Sequence, residues 1–301
     1  MSLVKKILDG EQQSALARLF SSAVLKELAQ KGKSPLFSRL ITESLEIKES
    51  DLSNPISTVF ESAFKLIRKT DYRHEYAYKA AITKKLLLGR HSLNTASLVT
   101  EFRVENCRAD IAIFNGTSTA YEIKSERDSL NRLECQLSSY KKFFSKVYVI
   151  TGENHIPEVL SCTPTDVGVL LLTKRFGIST IREAEEDASR VNPEIIFDSI
   201  QLREAQEILI KLGITPPNIA NTQMRSALRS IFSQLDPAEA HEKMVTTLRH
   251  SRNSLKLMDL LGNLPESLQA AVFTTSLKNK EKTTLLEAIN TPIREALSWA
   301  R

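Results

Sequence analysis

The sequence predicts an α/β protein, a mixed sheet flanked by helices, with helical regions before and after it. Three observations carry this. From about residue 96 to 182 the texture changes from helical periodicity to short runs of β-branched and aromatic residues. Within that stretch KVYVIT (146–151) and VGVLLLT (167–173) are unbroken apolar runs, as expected of central strands covered on both faces. A helix-length segment, roughly 129–144, stands before KVYVIT, and strands with an interposed helix point to an α/β core.

The elements follow in order. Residues 11–48 and 55–90 carry helical periodicity, for instance Val59, Phe60, Ala63, Phe64 and Ile67, and DLSNP (51–55) supplies the break. Strands are predicted in SLVTEFRVE (97–105), ADIAIF (109–114) and TAYEIK (119–124), with NGTS as the turn between the last two. The helix at 129–144 leads to KVYVIT, then DVGVLLLT and GISTIREA. Residues 199–301 return to helix, with breaks at GITPPN (213–218), LDP (235–237) and LGNLPE (261–266). The expected domains are a helical region 1–54, a sheet domain 55–198 and a helical domain 199–301.

Composition bounds the function. The chain has 301 residues, 42% hydrophobic and 26% charged, which suits a real core and excludes disordered and fibrous classes. No unbroken apolar run follows the N-terminal lysines, and none of 18 residues occurs anywhere, so a cytoplasmic protein without a membrane partner is expected. Cys107, Cys135 and Cys162 lie far apart in sequence and make no CxxC, which argues against a disulfide framework or a structural zinc site. His74, His91, His155, His241 and His250 form no HxH or HExxH, and no GxGxxG, GxxxxGK[ST] or GxSxG occurs. Basic and acidic residues number 16 and 10 over 1–94, 12 and 16 over 95–200, and 13 and 10 over 201–301. An acidic middle between basic flanks suits a metal site ringed by phosphate-binding surface, and equally suits solvated helix faces.

The charges Asp110, Glu122 and Lys124 fall on otherwise apolar strands. Period-two alternation puts Glu122 and Lys124 on one face of their strand. The turn decides where Asp110 goes. A two-residue Asn115-Gly116 loop pairs Asp110 with Tyr121, a turn centred on Gly116 pairs it with Glu122, and one centred on Thr117 pairs it with Lys124. Either odd-length loop gathers all three charges. Two neighbouring carboxylates repel unless a cation lies between them, and oxygen ligands favour Mg²⁺ or Mn²⁺. Lys124 would then stand ready to hold water or a phosphoryl oxygen. On the following helix Arg132, Gln136 and Tyr140 recur at i,i+4 steps along one stripe, beside an apolar stripe of Leu133, Leu137 and Phe144.

Asp110, Glu122-Ile-Lys124 and the later Gln136-Leu-Ser-Ser-Tyr140 resemble the PD-(D/E)XK nuclease superfamily, in particular its RecB-like branch with a Q-x3-Y helix. The strings YRHEYAYKAAITKKLLLGRHS and YEIKSERDSLNRLECQLSSYKKFFSKVYVITGENH are similar to the bacterial sce7726 family assigned to that superfamily. Ala109 stands where the superfamily often has proline. The resemblance covers about residues 70–175 and implies a restriction-endonuclease-like core and Mg²⁺-dependent phosphodiester hydrolysis. It implies catalytic roles for Asp110, Glu122, Lys124 and Gln136, with Asp110, Glu122 and Glu75 as metal ligands. Glu101 is a second candidate for completing the metal site, and Glu75 has the alternative of an i,i+4 pair with Lys79. Arg132 and Tyr140 would contact nucleic acid, DNA being favoured over RNA. In the C-terminal zone Arg225 and Arg229 lie one turn apart in a helix–turn–helix cadence, suiting either a DNA-reading helix or a bundle packed on the core or on a second subunit of a homodimer. The alternative function is a catalytically silent nucleic-acid- or protein-binding module on the same fold.

Overall fold

The computed structural model describes residues 9–69, 73–90, 95–126 and 128–300. His91 and parts of the strings that carry the family resemblance, at 72, 91–92 and 127, lie outside these residues. In chain order the elements are α1 (Gly10–Arg18), α2 (Ser22–Lys31), α3 (Pro35–Ser44), α4 (Ser57–Ile67), α5 (Glu75–Ile82) and α6 (Leu88–Arg90). Then come β1 (Ser97–Val104), β2 (Cys107–Phe114), β3 (Ser118–Lys124), α7 (Leu133–Lys141), β4 (Lys146–Thr151), α8 (Ile156–Cys162), β5 (Gly168–Leu172) and β6 (Ile178–Arg182). Last are α9 (Pro193–Ser199), α10 (Leu202–Lys211), α11 (Asn221–Phe232), α12 (Pro237–Ser251), α13 (Met258–Asn263), α14 (Glu266–Gln269), α15 (Asn279–Ala288) and α16 (Ile293–Ala296). Among the described residues no helix is long and apolar enough to cross a membrane.

The chain divides into two compact units, and the division is not the one expected at 54/55 and 198/199. One unit joins residues 1–84 to 256–301, and the other is residues 85–255. Backbone bonds explain the joining of the ends. Ile56 N–H donates to the Thr291 carbonyl at 2.9 Å, Ser57 N–H to Ile289 at 2.9 Å and Arg294 N–H to Leu52 at 2.9 Å. Ser21 and Ser34 cap α2 and α3, and Gly32, at φ +70°, ends α2 in the left-handed region that glycine adopts without steric cost. The unit's core is aromatic: Phe20 stacks on Tyr76 at 4.4 Å and meets Phe60 edge-on at 5.8 Å.

Residues 85–255 form a six-stranded mixed sheet in the order β1-β2-β3-β4-β5-β6. β3, β4 and β5 run parallel, joined through α7 and α8, and the outer pairs are antiparallel. Helices α9–α12 belong to this unit. Ile196, Ile208, Leu228 and Leu248 share one buried cluster with Phe102, Phe114, Val147 and Val149 of the sheet. The expected helical C-terminal domain is thus split, its first half completing the sheet's core because its apolar faces pack there.

Gly168 fixes the approach of β5 to β4. A Cβ built there overlaps the Tyr148 ring and lies 2.8 Å from the Ala184 nitrogen, while Tyr148 is itself stacked on Tyr121 at 5.6 Å. Gly168→Ala is therefore expected to lower stability by roughly 2–3 kcal/mol through overpacking. The midpoint of urea unfolding checks this, and a midpoint equal to wild type would show that β5 can shift to make room.

Candidate active site

β3 is hydrogen-bonded on both sides, and every residue from Ser118 to Lys124 is buried. Alternation sends Glu122 and Lys124 to the face of α7. They are 3% and 6% exposed, so both charges need partners within the protein. Lys124 Nζ donates to Glu122 Oε1 at 2.9 Å and to Gln136 Oε1 at 2.9 Å, and Gln136 Nε2 donates to Glu122 Oε1 at 2.6 Å. The Tyr140 hydroxyl lies 2.8 Å from Glu122 Oε2 and 2.6 Å from the Arg108 carbonyl, and its one proton serves one acceptor at a time. Gln136 and Tyr140 sit on successive turns of α7, which Leu133 and Leu137 anchor in the core. Burial pushes the Glu122 carboxyl above the usual carboxylate range, against the opposing pull of the Lys124 ammonium. Burial, then the neighbouring Glu122 charge, raises the Tyr140 phenol.

The β2–β3 register is the one centred on Gly116. Ile111 faces Tyr121, Phe114 faces Ser118, and Asn115–Thr117 form a three-residue loop with Gly116 at φ +68°. Asp110 therefore stands level with Glu122, but the ladder between the strands ends at Ile111–Tyr121. Beyond it side chains bridge the gap: Asp110 Oδ2 accepts from Ile123 N–H at 2.7 Å, and the Tyr140 hydroxyl reaches the Arg108 carbonyl. β2 stays paired with β1 through Cys107, while β3 stays paired with β4 through Lys124. The sheet forks at Asp110.

Glu101 lies level with Asp110 on β1, and it has φ +54°, the left-handed region that a glutamate seldom occupies. The hairpin bends here. Phe102 and Phe114 are five positions apart in register, a span of about 17 Å along a straight strand, yet their ring centroids are 5.7 Å apart. Carboxylate oxygens of Glu101 and Asp110 come within 4.8 Å of each other. Glu122, held by three donors, does not come within that distance of both. Glu75 opens α5 and pairs with Lys79 at 2.5 Å, the i,i+4 alternative expected for it.

Arg132 stands at the N-terminal end of α7 without a side-chain capping bond and is exposed. With Asn106, Cys107, Arg108, Cys135 and Gln136 it lines a cleft of about 440 Å³. Arg108 was not singled out in the sequence, although its place two residues before Asp110 on the strand was the available signal. Arg225 and Arg229 are engaged by α9. Arg229 bonds Glu194 at 2.7 Å and Asp198 at 3.2 Å, and Arg225 lies 3.6 Å from Asp198 and over the Phe197 ring at 5.1 Å. Those contacts serve helix packing.

Fold and site together define an α/β domain with a buried Glu–Lys–Gln–Tyr network at a fork in a mixed sheet. Residues 68–287 match the family described as bacteriophage P4 protein cII, and the chain belongs to that family. Protein cII of Enterobacteria phage P4 is 28% identical over 194 residues, spanning 63% of this chain and 72% of that protein. A solved structure, the SPO1766 protein of unknown function from Silicibacter pomeroyi, is 18% identical with a TM-score of 0.32, over 47% of this chain and 96% of its own.

Proposed function

We propose that the chain is a Mg²⁺-dependent nuclease that hydrolyses phosphodiester bonds, with DNA favoured over RNA. The reading is carried by the buried network of Glu122, Lys124, Gln136 and Tyr140, placed level with Asp110. Asp110 and Glu101 fit a divalent ion, since they bring hard carboxylate oxygens within 4.8 Å and repel each other without one. Asp110 and Glu101 would hold the ion, and Glu122, a ligand by the resemblance, would have to release an oxygen from its donors to join them. When bound, it would offset charge on the phosphoryl oxygens and make a water more acidic. Lys124 has three N–H donors and directs two of them to Glu122 and Gln136, so the third serves the scissile phosphate or the attacking water. Gln136 and Tyr140 fix both Glu122 oxygens and so keep Lys124 in place.

One observation favours the silent binding module. The donors around Glu122 satisfy it without any metal, so the network would also hold the fold alone. Two measurements separate the readings. Mg²⁺ or Mn²⁺ is expected to raise the wild-type melting temperature by binding the native state, and Asp110→Asn is expected to abolish the rise. Labelled single- and double-stranded DNA and RNA are then incubated with Mg²⁺ and wild type or the Asp110→Asn variant. Cleavage by wild type alone supports the enzyme. Absence of cleavage together with no divalent binding by calorimetry, even with a DNA fragment present, puts the binding module ahead.

A further inference from the structure

We propose that the cleft beside the network seats one nucleotide of a single strand, Arg108 and Arg132 clasping the phosphate next to the cut bond. This rests on the nuclease reading and names the form of substrate it takes. The cleft lies between the β1–β2 turn and the start of α7, and its six lining residues include two arginines and no acid. Among the described residues neither arginine is in an ion pair, whereas Arg190, Arg225, Arg229 and Arg252 all are. Glu105, the acid in the adjoining turn, is occupied by Lys142 at 2.9 and 3.0 Å. Two exposed guanidiniums facing one cleft suit a phosphate, which they grip through paired N–H donors.

The cleft is joined to the network through its walls. Gln136 lines it and bonds Glu122 and Lys124, and Arg108 lines it while its carbonyl lies 2.6 Å from the Tyr140 hydroxyl. A strand held at Lys124 would pass its next phosphate into this space. At about 440 Å³ the cleft falls in the lower part of the roughly 300–1,000 Å³ range of small-ligand sites. That suits one nucleotide and is too small for a duplex, so the strand enters unpaired. The small side chains of Cys107 and Cys135 leave the room that a sugar and base need.

The thiols supply the test. Cys135 is exposed in the cleft, Cys162 is exposed at the end of α8, and Cys107 is half-buried. In metal-free, low-salt buffer with chelator, N-ethylmaleimide labelling of each cysteine is timed by mass spectrometry with ten-residue oligothymidylate, a ten-base-pair duplex or inorganic phosphate. The oligonucleotide is expected to slow labelling of Cys135 at least tenfold and to leave Cys162 unchanged. Duplex and phosphate are expected to protect less than threefold. Arg108→Ala combined with Arg132→Ala should remove the protection while the melting temperature stays at the wild-type value. Equal Cys135 rates with and without oligonucleotide, protection that survives the double substitution, or equal protection by phosphate or duplex would each overturn the proposal. Cleavage without protection would end the cleft assignment and keep the nuclease. Protection without cleavage in Mg²⁺ would keep the cleft and end the nuclease.

Discussion

Replacing Lys124 with alanine is expected to reduce Mg²⁺-dependent cleavage by about 10²-fold or more while divalent-metal binding stays nearly intact, the scale of one lost transition-state charge contact. Lys124 donates to Glu122 and Gln136 and is not an oxygen ligand, so its removal leaves the carboxylates in place. Glu122→Ala is expected to lose both cleavage and metal binding. In the Lys124→Ala variant the fold pays as well, because Glu122 is 3% exposed and would be left without its cation. Breaking a buried pair costs roughly 3–5 kcal/mol. Here the cost is lessened, since Gln136 and Tyr140 still donate and Glu122 can take up a proton. Cleavage rates, the metal-induced shift in melting temperature and the urea midpoint are therefore read together on one preparation. Unchanged cleavage in the variant would point to a contaminating enzyme or another centre.

The second large effect is a loss of stability on mild acidification, centred on His241. Its Nε2 lies 2.7 Å from Ser118 Oγ, which also accepts from Ser145 N–H at 3.1 Å, beneath the start of β3. Burial lowers its pKa from 6.5 to about 4, and the nearby Glu186 opposes this only in part, being paired with Lys146 at 2.8 Å. Between those values the unfolded chain binds a proton that the folded chain refuses. Stability is thus full above about pH 6.5 and falls as pH drops toward 4, by about 3 kcal/mol in all. Glu122 acts in the opposite sense, since its raised folded pKa favours the native state as pH falls. The carboxylates with lowered values, Glu105, Asp166, Glu186, Asp187 and Glu204, lose their contribution only below the ordinary carboxylate range. The comparison is accordingly between wild type and His241→Gln, whose unfolding free energy should be flatter between pH 7 and 4.5. Parallel curves for the two proteins would remove His241 as the cause.

The strands and the Glu122–Lys124 face were legible because alternation is a local property of the chain. The β2–β3 register was not, since three loop lengths fit NGTS, and the choice depends on the left-handed Gly116 and on packing behind both strands. TEFRVE reads as an ordinary strand, and no residue in it announces the left-handed Glu101, a conformation imposed by the bend of the hairpin. The i,i+4 spacing revealed that Gln136 and Tyr140 share a stripe, but only the fold shows that both reach Glu122. Arg225 and Arg229 looked available for DNA because their partners, Glu194 and Asp198, come from a different helix. The helix expected over 129–144 is shorter, Leu133–Lys141, since Ser129 Oγ accepts from Asn131 N–H and the chain turns before it coils.

The division of the chain sets an order of events during synthesis. Helices α1–α5 leave the ribosome before the sheet, yet they share their unit with residues 256–301, and Ser38 bonds the carbonyl of Leu297. The cluster around the sheet is complete by Leu248. The later-emerging unit thus has all its residues in hand before the earlier one does. At about 5–20 residues per second, the segment 256–301 takes roughly 2–9 s to appear. For that interval Phe20, Phe37 and Phe60, buried in the finished unit, wait without their last helices, and a nascent chain stalled after residue 255 would present them to chaperones.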